Sequence, residues 1–415
     1  MTTNQLTVPT VTKKGLAYTL NWDEGVEMKL ERLYQHRDYH VDAEITVLDY
    51  SEINPLLVGP QRTSITKTFR SLISELEGES ARPDWGKRLK QAAIKVLEDF
   101  RSGDPVIKLN EMPPPEMPPW RITGVAHEGM SSLIYSSGGM GKSTLGVAFL
   151  TLIQGGMGIP DLFNVIKGNT LVLDYEASWA ETYRRSGDVT RAYGLGEESM
   201  VYYRFMSAPL AHEAEYIRQQ IDELEISVVL IDSAGPACGG SPEESTATLQ
   251  YFAALRSLSS LEKPVTTITL AHVTKDKSRS EDGPFGSVYW TNLPRDTHEL
   301  KSYRTKGSNY LDCALHHRKT NIGTIHDPIG FRMTWDGPNG LFLENLDVKK
   351  HASLSSDLPL AERARICIEI DGPQTTDELM SKLDARNKNS LSATLSRDEH
   401  LESVGDKWQL SGLDF

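Results

Sequence analysis

The stretch that most limits how this chain can fold is residues 133–144, LIYSSGGMGKST, where a short apolar run breaks into glycines and then into Gly-Lys-Ser-Thr. Leu133, Ile134 and Tyr135 read as the end of a buried strand, and residues 144–154 as the helix that follows. Strand, glycine turn and helix in that order form a phosphate-binding loop. Gly138, Gly139 and Gly141 let the backbone turn its N–H groups inward, and the positive end of the helix dipole adds to the pull on a polyphosphate. The binding residues are then Ser137, Gly138, Gly139, Met140, Gly141, Lys142, Ser143 and Thr144, with Lys142 reaching the β- and γ-phosphates and the Ser143 hydroxyl on Mg²⁺. The pattern G-x-x-x-x-G-K-[ST] has glycine where this chain has Ser136. If that position needs a positive φ, serine is strained there, and Gly138 and Gly139 are the neighbours able to absorb it.

With 415 residues, 39% of them hydrophobic, the chain is long enough for two or three domains with well-filled cores. No apolar stretch approaches the length of a bilayer span, and the first 14 residues, MTTNQLTVPTVTKK, are polar, so the expected compartment is the cytoplasm and no membrane is involved. Cys238, Cys313 and Cys367 lack metal-ligand spacing and are expected to be ordinary buried residues rather than a disulfide framework or a zinc site. The formal net charge of −13 counts against coating nucleic acid over the whole surface. It leaves room for a local basic path, such as a ring lined by a few Lys and Arg from each subunit.

Taken in order, residues 1–110 form a small α/β module, with strand-like runs at 15–21 and 43–49 and helix-like tracts at 65–76 and 85–100. In the last of these Leu89, Ala92, Ala93, Val96 and Leu97 recur at helical spacing. No acid, base or metal cluster stands out in it, so it reads as an adaptor or oligomerisation module with Trp85 a packing residue, as is Trp120 beyond it. Residues 111–120, EMPPPEMPPW, are a stiff spacer. Residues 121–350 alternate strands (169–175, 201–205, 227–231, 265–271) with helices (179–193, 213–224, 245–258), the pattern of a mainly parallel sheet covered on both faces. Runs at 297–303, 311–316, 330–335 and 341–346, two of them joined through Asp336-Gly337 and Asn339-Gly340, predict antiparallel strands extending that sheet. Residues 358–415 follow a winged-helix plan: helices at 360–370, 375–383 (Thr375 as N-cap, Glu378 three on) and 390–400, then a strand pair around Gly405-Asp406. Acidic residues outnumber basic ones there, so protein and nucleic acid stand as equal candidate partners.

Three strand ends carry the remaining chemistry. The apolar run before Asp232 puts a carboxylate where a second Mg²⁺ contact belongs, although Asp232 would also cap a turn. Glu176 leaves the strand TLVLDYEAS and is preferred over Asp174, inside the strand, as the group that takes a proton from the attacking water. His272 closes TTITLAH and either reports the γ-phosphate to residues 273–285 or is structural; that loop faces a ring channel or is a solvated surface. Arg318 and Lys319, in HHRKTN, act on a neighbouring subunit's γ-phosphate if the chain forms a ring, and otherwise belong to a basic surface turn.

With these residues in place, the region from about residue 120 to 346 resembles the RecA-like ATPases of the RepA and DnaB hexameric helicase group. The matching features are SSGGMGKST, the glutamate of LVLDYEAS, VVLIDS, the histidine of LAHVTK, Gly286-Ser287 ahead of Arg295, and HRKTN. The resemblance implies an ATP- and Mg²⁺-dependent homo-hexameric ring that threads single-stranded DNA, with Glu176 as catalytic base and the late basic residues acting in trans. The first module is similar to those that precede such ATPases in phage- or plasmid-type replication proteins, implying a replication or loading partner. A regulatory ATPase whose winged helix binds protein, and a recombinase-like filament, remain the alternatives.

Overall fold

A computed structural model describes residues 8–411 apart from 15–16, 24, 36–38, 50–57, 68, 80–83, 103–105, 107, 112–113, 115, 260–263, 274–282, 352–353, 356–358, 384 and 386. The chain divides into two compact units, one of residues 1–116 with 215–219, the other of 117–214 with 220–415.

In the first unit β1 (Thr10–Lys14), β2 (Ala17–Asn21), β3 (Val26–Gln35), β4 (Val41–Asp49) and β5 (Val58–Ser64) pair in chain order as an antiparallel sheet. Every second residue faces inward: Val26, Met28 and Leu30 on β3 and Val41, Ala43, Ile45 and Val47 on β4 share a core with α1 (Arg70–Glu79) and α2 (Trp85–Ser102), in which Trp85 is fully buried. The helix expected at 65–76 begins only at Arg70, because the Ile65 N–H still donates to the Val41 carbonyl at 2.8 Å beside the end of β5. Residues 15–16 of the first expected strand, and 112, 113 and 115 of the spacer, lie outside the described residues.

The second unit opens with a short hairpin of β6 (Trp120–Ile122) and β7 (Ala126–His127). It continues with β8 (Ser131–Ser136), α3 (Lys142–Gly155), β9 (Asn169–Asp174), α4 (Trp179–Ala192), β10 (Tyr202–Phe205), α5 (Leu210–Glu223) and β11 (Ile226–Asp232). Next come α6 (Ala234–Ala237), α7 (Ser245–Ser257), β12 (Thr266–His272), α8 (Tyr289–Asn292), β13 (Asp296–Tyr303), β14 (Tyr310–Thr320), β15 (Ile329–Trp335) and β16 (Leu341–Asn345). These strands form a nine-stranded sheet in the order β10-β9-β11-β12-β8-β13-β14-β15-β16. From β10 to β13 neighbours are parallel, and from β13 to β16 antiparallel. The pairing of β13 corrects the sequence reading. It runs parallel to β8, from Asp296 opposite Ser132 to Glu299 opposite Tyr135, because the long connection from β12 gives the chain room to cross over β8 before it turns back. Helix α3 is apolar almost all round and is buried along nearly its whole length, as such a helix must be.

The last segment holds α9 (Leu360–Asp371), β17 (Gln374–Thr375), α10 (Thr376–Leu383), α11 (Lys388–Leu395), β18 (Leu401–Val404) and β19 (Lys407–Leu410), with a three-stranded sheet β17-β19-β18. Thr375 and Glu378 cap α10 reciprocally: the Thr375 N–H donates to Glu378 Oε2 at 2.7 Å, and the Glu378 N–H to Thr375 Oγ1 at 3.3 Å. The third helix ends at Leu395 rather than residue 400 and starts from Asn387, whose side chain accepts the Ser390 N–H at 3.0 Å. Cys238, Cys313 and Cys367 are all buried. Among the described residues no helix is long and apolar enough to cross a membrane.

Candidate functional site

The C-terminal ends of β8, β9, β11 and β12 lie side by side, and the sheet register levels them. Asp232 is opposite Asp174 on one side and Leu270 on the other, and His272 is opposite Ser136. Each strand ends where its apolar run meets a polar residue, Ser136, Asp174, Asp232 and His272. That edge of a parallel sheet is where ligands bind in open α/β folds.

Ser136 is the last residue of β8 and is buried. It is not among the described non-glycine residues with positive φ, so the strain expected there does not arise. The turn is made instead at Gly139 (φ 78°) and Gly141 (φ 88°), both in the left-handed region. Gly141 is doubly required, since a Cβ there would stand 2.8 Å from Met333 Cε and 3.0 Å from Leu311 Cδ2. Ser137, Gly138 and Gly139 are exposed, Met140 accepts from the Ser302 hydroxyl through sulfur at 3.0 Å, and α3 begins at Lys142 and continues through Ser143 and Thr144.

Lys142 is buried, and its ammonium donates to Ser136 O (2.9 Å), Ser136 Oγ (3.0 Å) and Ser137 O (3.0 Å), with His272 Nδ1 at 3.5 Å. Burial lowers its pKa, opposed by the charges of Asp232 and Glu176. Asp232 is pushed up to about 6, chiefly by burial; the Ser143 hydroxyl donates to it and works the other way, while the charges of Glu176 and Asp174 add to the rise. Glu176 is half exposed, its Oε1 accepting from the Ser233 hydroxyl and lying 3.7 Å from His272 Nε2. Lys142, Ser143, Glu176, Asp232 and His272 are therefore brought together, a cation and two carboxylates around the mouth of a helix N-terminus.

Arg318 and Lys319 are not part of this cluster. Lys319 pairs with Thr297, which pairs with Leu133, three residues short of Ser136 and two strands across. At about 3.3 Å per residue and about 4.8 Å per strand that is roughly 14 Å, beyond the reach of either side chain to the same chain's phosphate loop. Arg318 is the extra residue of a β-bulge between the Thr297–Lys319 and His298–His317 pairs, and it donates through Nε (2.9 Å) and Nη2 (2.6 Å) to Glu299. Lys319 donates to the carbonyls of Asn292 and Pro294. Of the loop at 273–285, residues 274–282 lie outside the described residues; its two ends are tied by the Phe285 N–H donating to His272 O at 2.7 Å. Asp174, weighed in the sequence only as a rival of Glu176, and Ser233, which the sequence did not single out, contact the Glu176 segment directly. The spacing D-x-E before a chain reversal was the signal for the first.

Residues 98–278 match a family model described as an AAA domain. The sheet of the second unit is mainly parallel, as the sequence led one to expect, with β12 between β8 and β11. Among solved structures the chain is similar to a KaiC-like protein from the archaeon Pyrococcus horikoshii OT3 (16% identity, TM-score 0.39, 54% of this chain and 93% of that one). It is also similar to the RadB recombinase (15% identity, TM-score 0.39, 53% and 92%). No curated protein sequence matches the chain.

Proposed function

We propose that this chain hydrolyses ATP in a Mg²⁺-dependent manner and works as a homo-hexameric ring on single-stranded DNA, as a replicative helicase of the RepA type. The observation that carries the hydrolysis is the convergence of Glu176, Asp232 and Lys142 on one helix N-terminus. The residues present fit a magnesium nucleotide. The positive-φ turn leaves room for phosphate oxygens at Gly139, where a Cβ would meet nothing within 4 Å, and Ser143 with Asp232 offers two hard oxygen donors already in contact. Mg²⁺ would supply charge neutralisation at the phosphate oxygens. Lys142 would bind the β- and γ-phosphates, Ser143 and Asp232 would hold the metal, and the Gly139–Lys142 amides would orient the tail. Glu176 would accept the proton of the attacking water, and His272, between Lys142 and Glu176, would report whether a γ-phosphate is present.

The ring reading rests on the cations. Arg318 and Lys319 lie too far from their own phosphate loop to act there, so a phosphate they contact belongs to a neighbour. Partners expected on this reading are further copies of the chain, single-stranded DNA, and a loading or replication protein at the N-terminal module or at the last segment, whose helix-strand order supports a winged helix. Hydrolysis assays with and without single-stranded DNA, strand displacement, and electron microscopy with a nonhydrolysable nucleotide test it. Turnover that DNA leaves unchanged would refute the motor in favour of a regulatory ATPase. A filament in place of a ring, without strand displacement, would favour the recombinase-like reading.

A further inference from the structure

We infer that Asp174 and Ser233 are the positioning residues of Glu176, fixing it at its root and at its tip; the inference rests on the assignment of Glu176 as the proton acceptor. A general base on a half-exposed strand exit has a geometric difficulty. The ladder has ended, so the backbone is free to swing, and a misplacement of about 1 Å lowers the rate by about a hundredfold. Here three successive amides beyond the strand are pinned. The Tyr175 N–H donates across to the Asp232 carbonyl at 2.7 Å. The N–H groups of Glu176 (3.0 Å) and Ala177 (2.8 Å) both donate to Asp174 Oδ1. Asp174 is itself only 2% exposed and sits level with Asp232 in the sheet, so its carboxylate is a fixed acceptor rather than a mobile one.

The tip is held separately. Ser233, 1% exposed and next in the chain to Asp232, donates its hydroxyl to Glu176 Oε1. The same oxygen lies 3.7 Å from His272 Nε2. Both clamps start from the strand end that carries Asp232, or from the residue paired with it, so the proton acceptor and the metal carboxylate are set by one rigid frame. Asp174 touches neither phosphate nor water on this account and bears on proton transfer by holding the Glu176 segment.

The test uses the full-length protein, fluorescent-nucleotide binding and steady-state hydrolysis. Asp174→Ala is expected to lower kcat by about a hundredfold, and Ser233→Ala by roughly three- to tenfold, with nucleotide affinity within about twofold of wild type. Asp174→Asn keeps an oxygen for the two amides and should restore most of the rate, which a loss of folding would not allow. In a Glu176→Gln background Asp174→Ala should have no further effect on residual turnover, because it acts through the missing carboxylate. Wild-type kcat in both single variants, or a full additional loss in the Gln background, overturns the inference while leaving Glu176 in place. Normal turnover by Glu176→Gln alone would instead remove the assignment of the base.

Discussion

Replacing Asp232 by asparagine should make the nucleotide-free protein more stable while removing its response to magnesium nucleotide. Asp232 is 6% exposed, and burial is the main reason its pKa rises from 3.8 to about 6. The folded-state value lies above the unfolded one. Between pH 4 and 6 the folded chain therefore binds more protons, and stability falls as pH rises through that window. A displacement of about two pH units corresponds to about 3 kcal/mol of destabilisation that is fully present at pH 7.5, reduced to about 1 kcal/mol near pH 4.5. Asparagine carries no charge to desolvate and still offers an oxygen to the Ser143 hydroxyl, so Asp232→Asn should recover most of it. In a unit of this size the gain is roughly 5 °C in melting temperature. Thermal melts of the nucleotide-free protein at the two pH values measure it, and a second pair with MgATP should raise the wild type only. A variant no more stable than wild type at pH 7.5, or a gain of equal size at pH 4.5, would refute the reasoning that Asp232 is a desolvated carboxylate kept for a cation.

Other substitutions probe the rest of the site. Lys142→Ala should abolish turnover and weaken nucleotide binding by at least tenfold in a filter or fluorescence assay, and wild-type affinity would remove its phosphate role. Glu176→Gln should retain nucleotide and fail to cleave it, read as bound ATP without phosphate release. Gly141→Ala should destabilise by about 2–4 kcal/mol, since a left-handed alanine costs about 1–2 kcal/mol and its methyl meets Met333 at 2.8 Å and Leu311 at 3.0 Å; an unchanged denaturation midpoint would contradict the geometry. Arg318→Ala should lower hydrolysis only in the assembled state, and normal rates inside an intact assembly would discard the trans contact.

The phosphate loop, the strand ends at Asp232 and His272, Glu176 just past the end of β9, and the helices beside them were legible because each is written within a dozen consecutive residues. The less legible features depend on distant pairing. Nothing local to residues 296–303 says that they lie beside β8 in the same direction, and the bulge that re-aims Arg318 exists only once β13 and β14 are matched. In the first unit, Glu27, Lys29 and Glu31 break up the apolar signal of β3, whose inward residues become evident as a strand only when β2 and β4 flank it. Asp174 looked like a rival of Glu176 because sequence spacing cannot tell a carboxylate that faces substrate from one that turns back on its own backbone.

The ammonium of Lys142 does not wait in solvent; three oxygens of the strand end already tether it. An arriving anion has to draw it off that tether. On the proposed reading the tail of a triphosphate does so by bringing several negative charges to one point in place of three neutral oxygens.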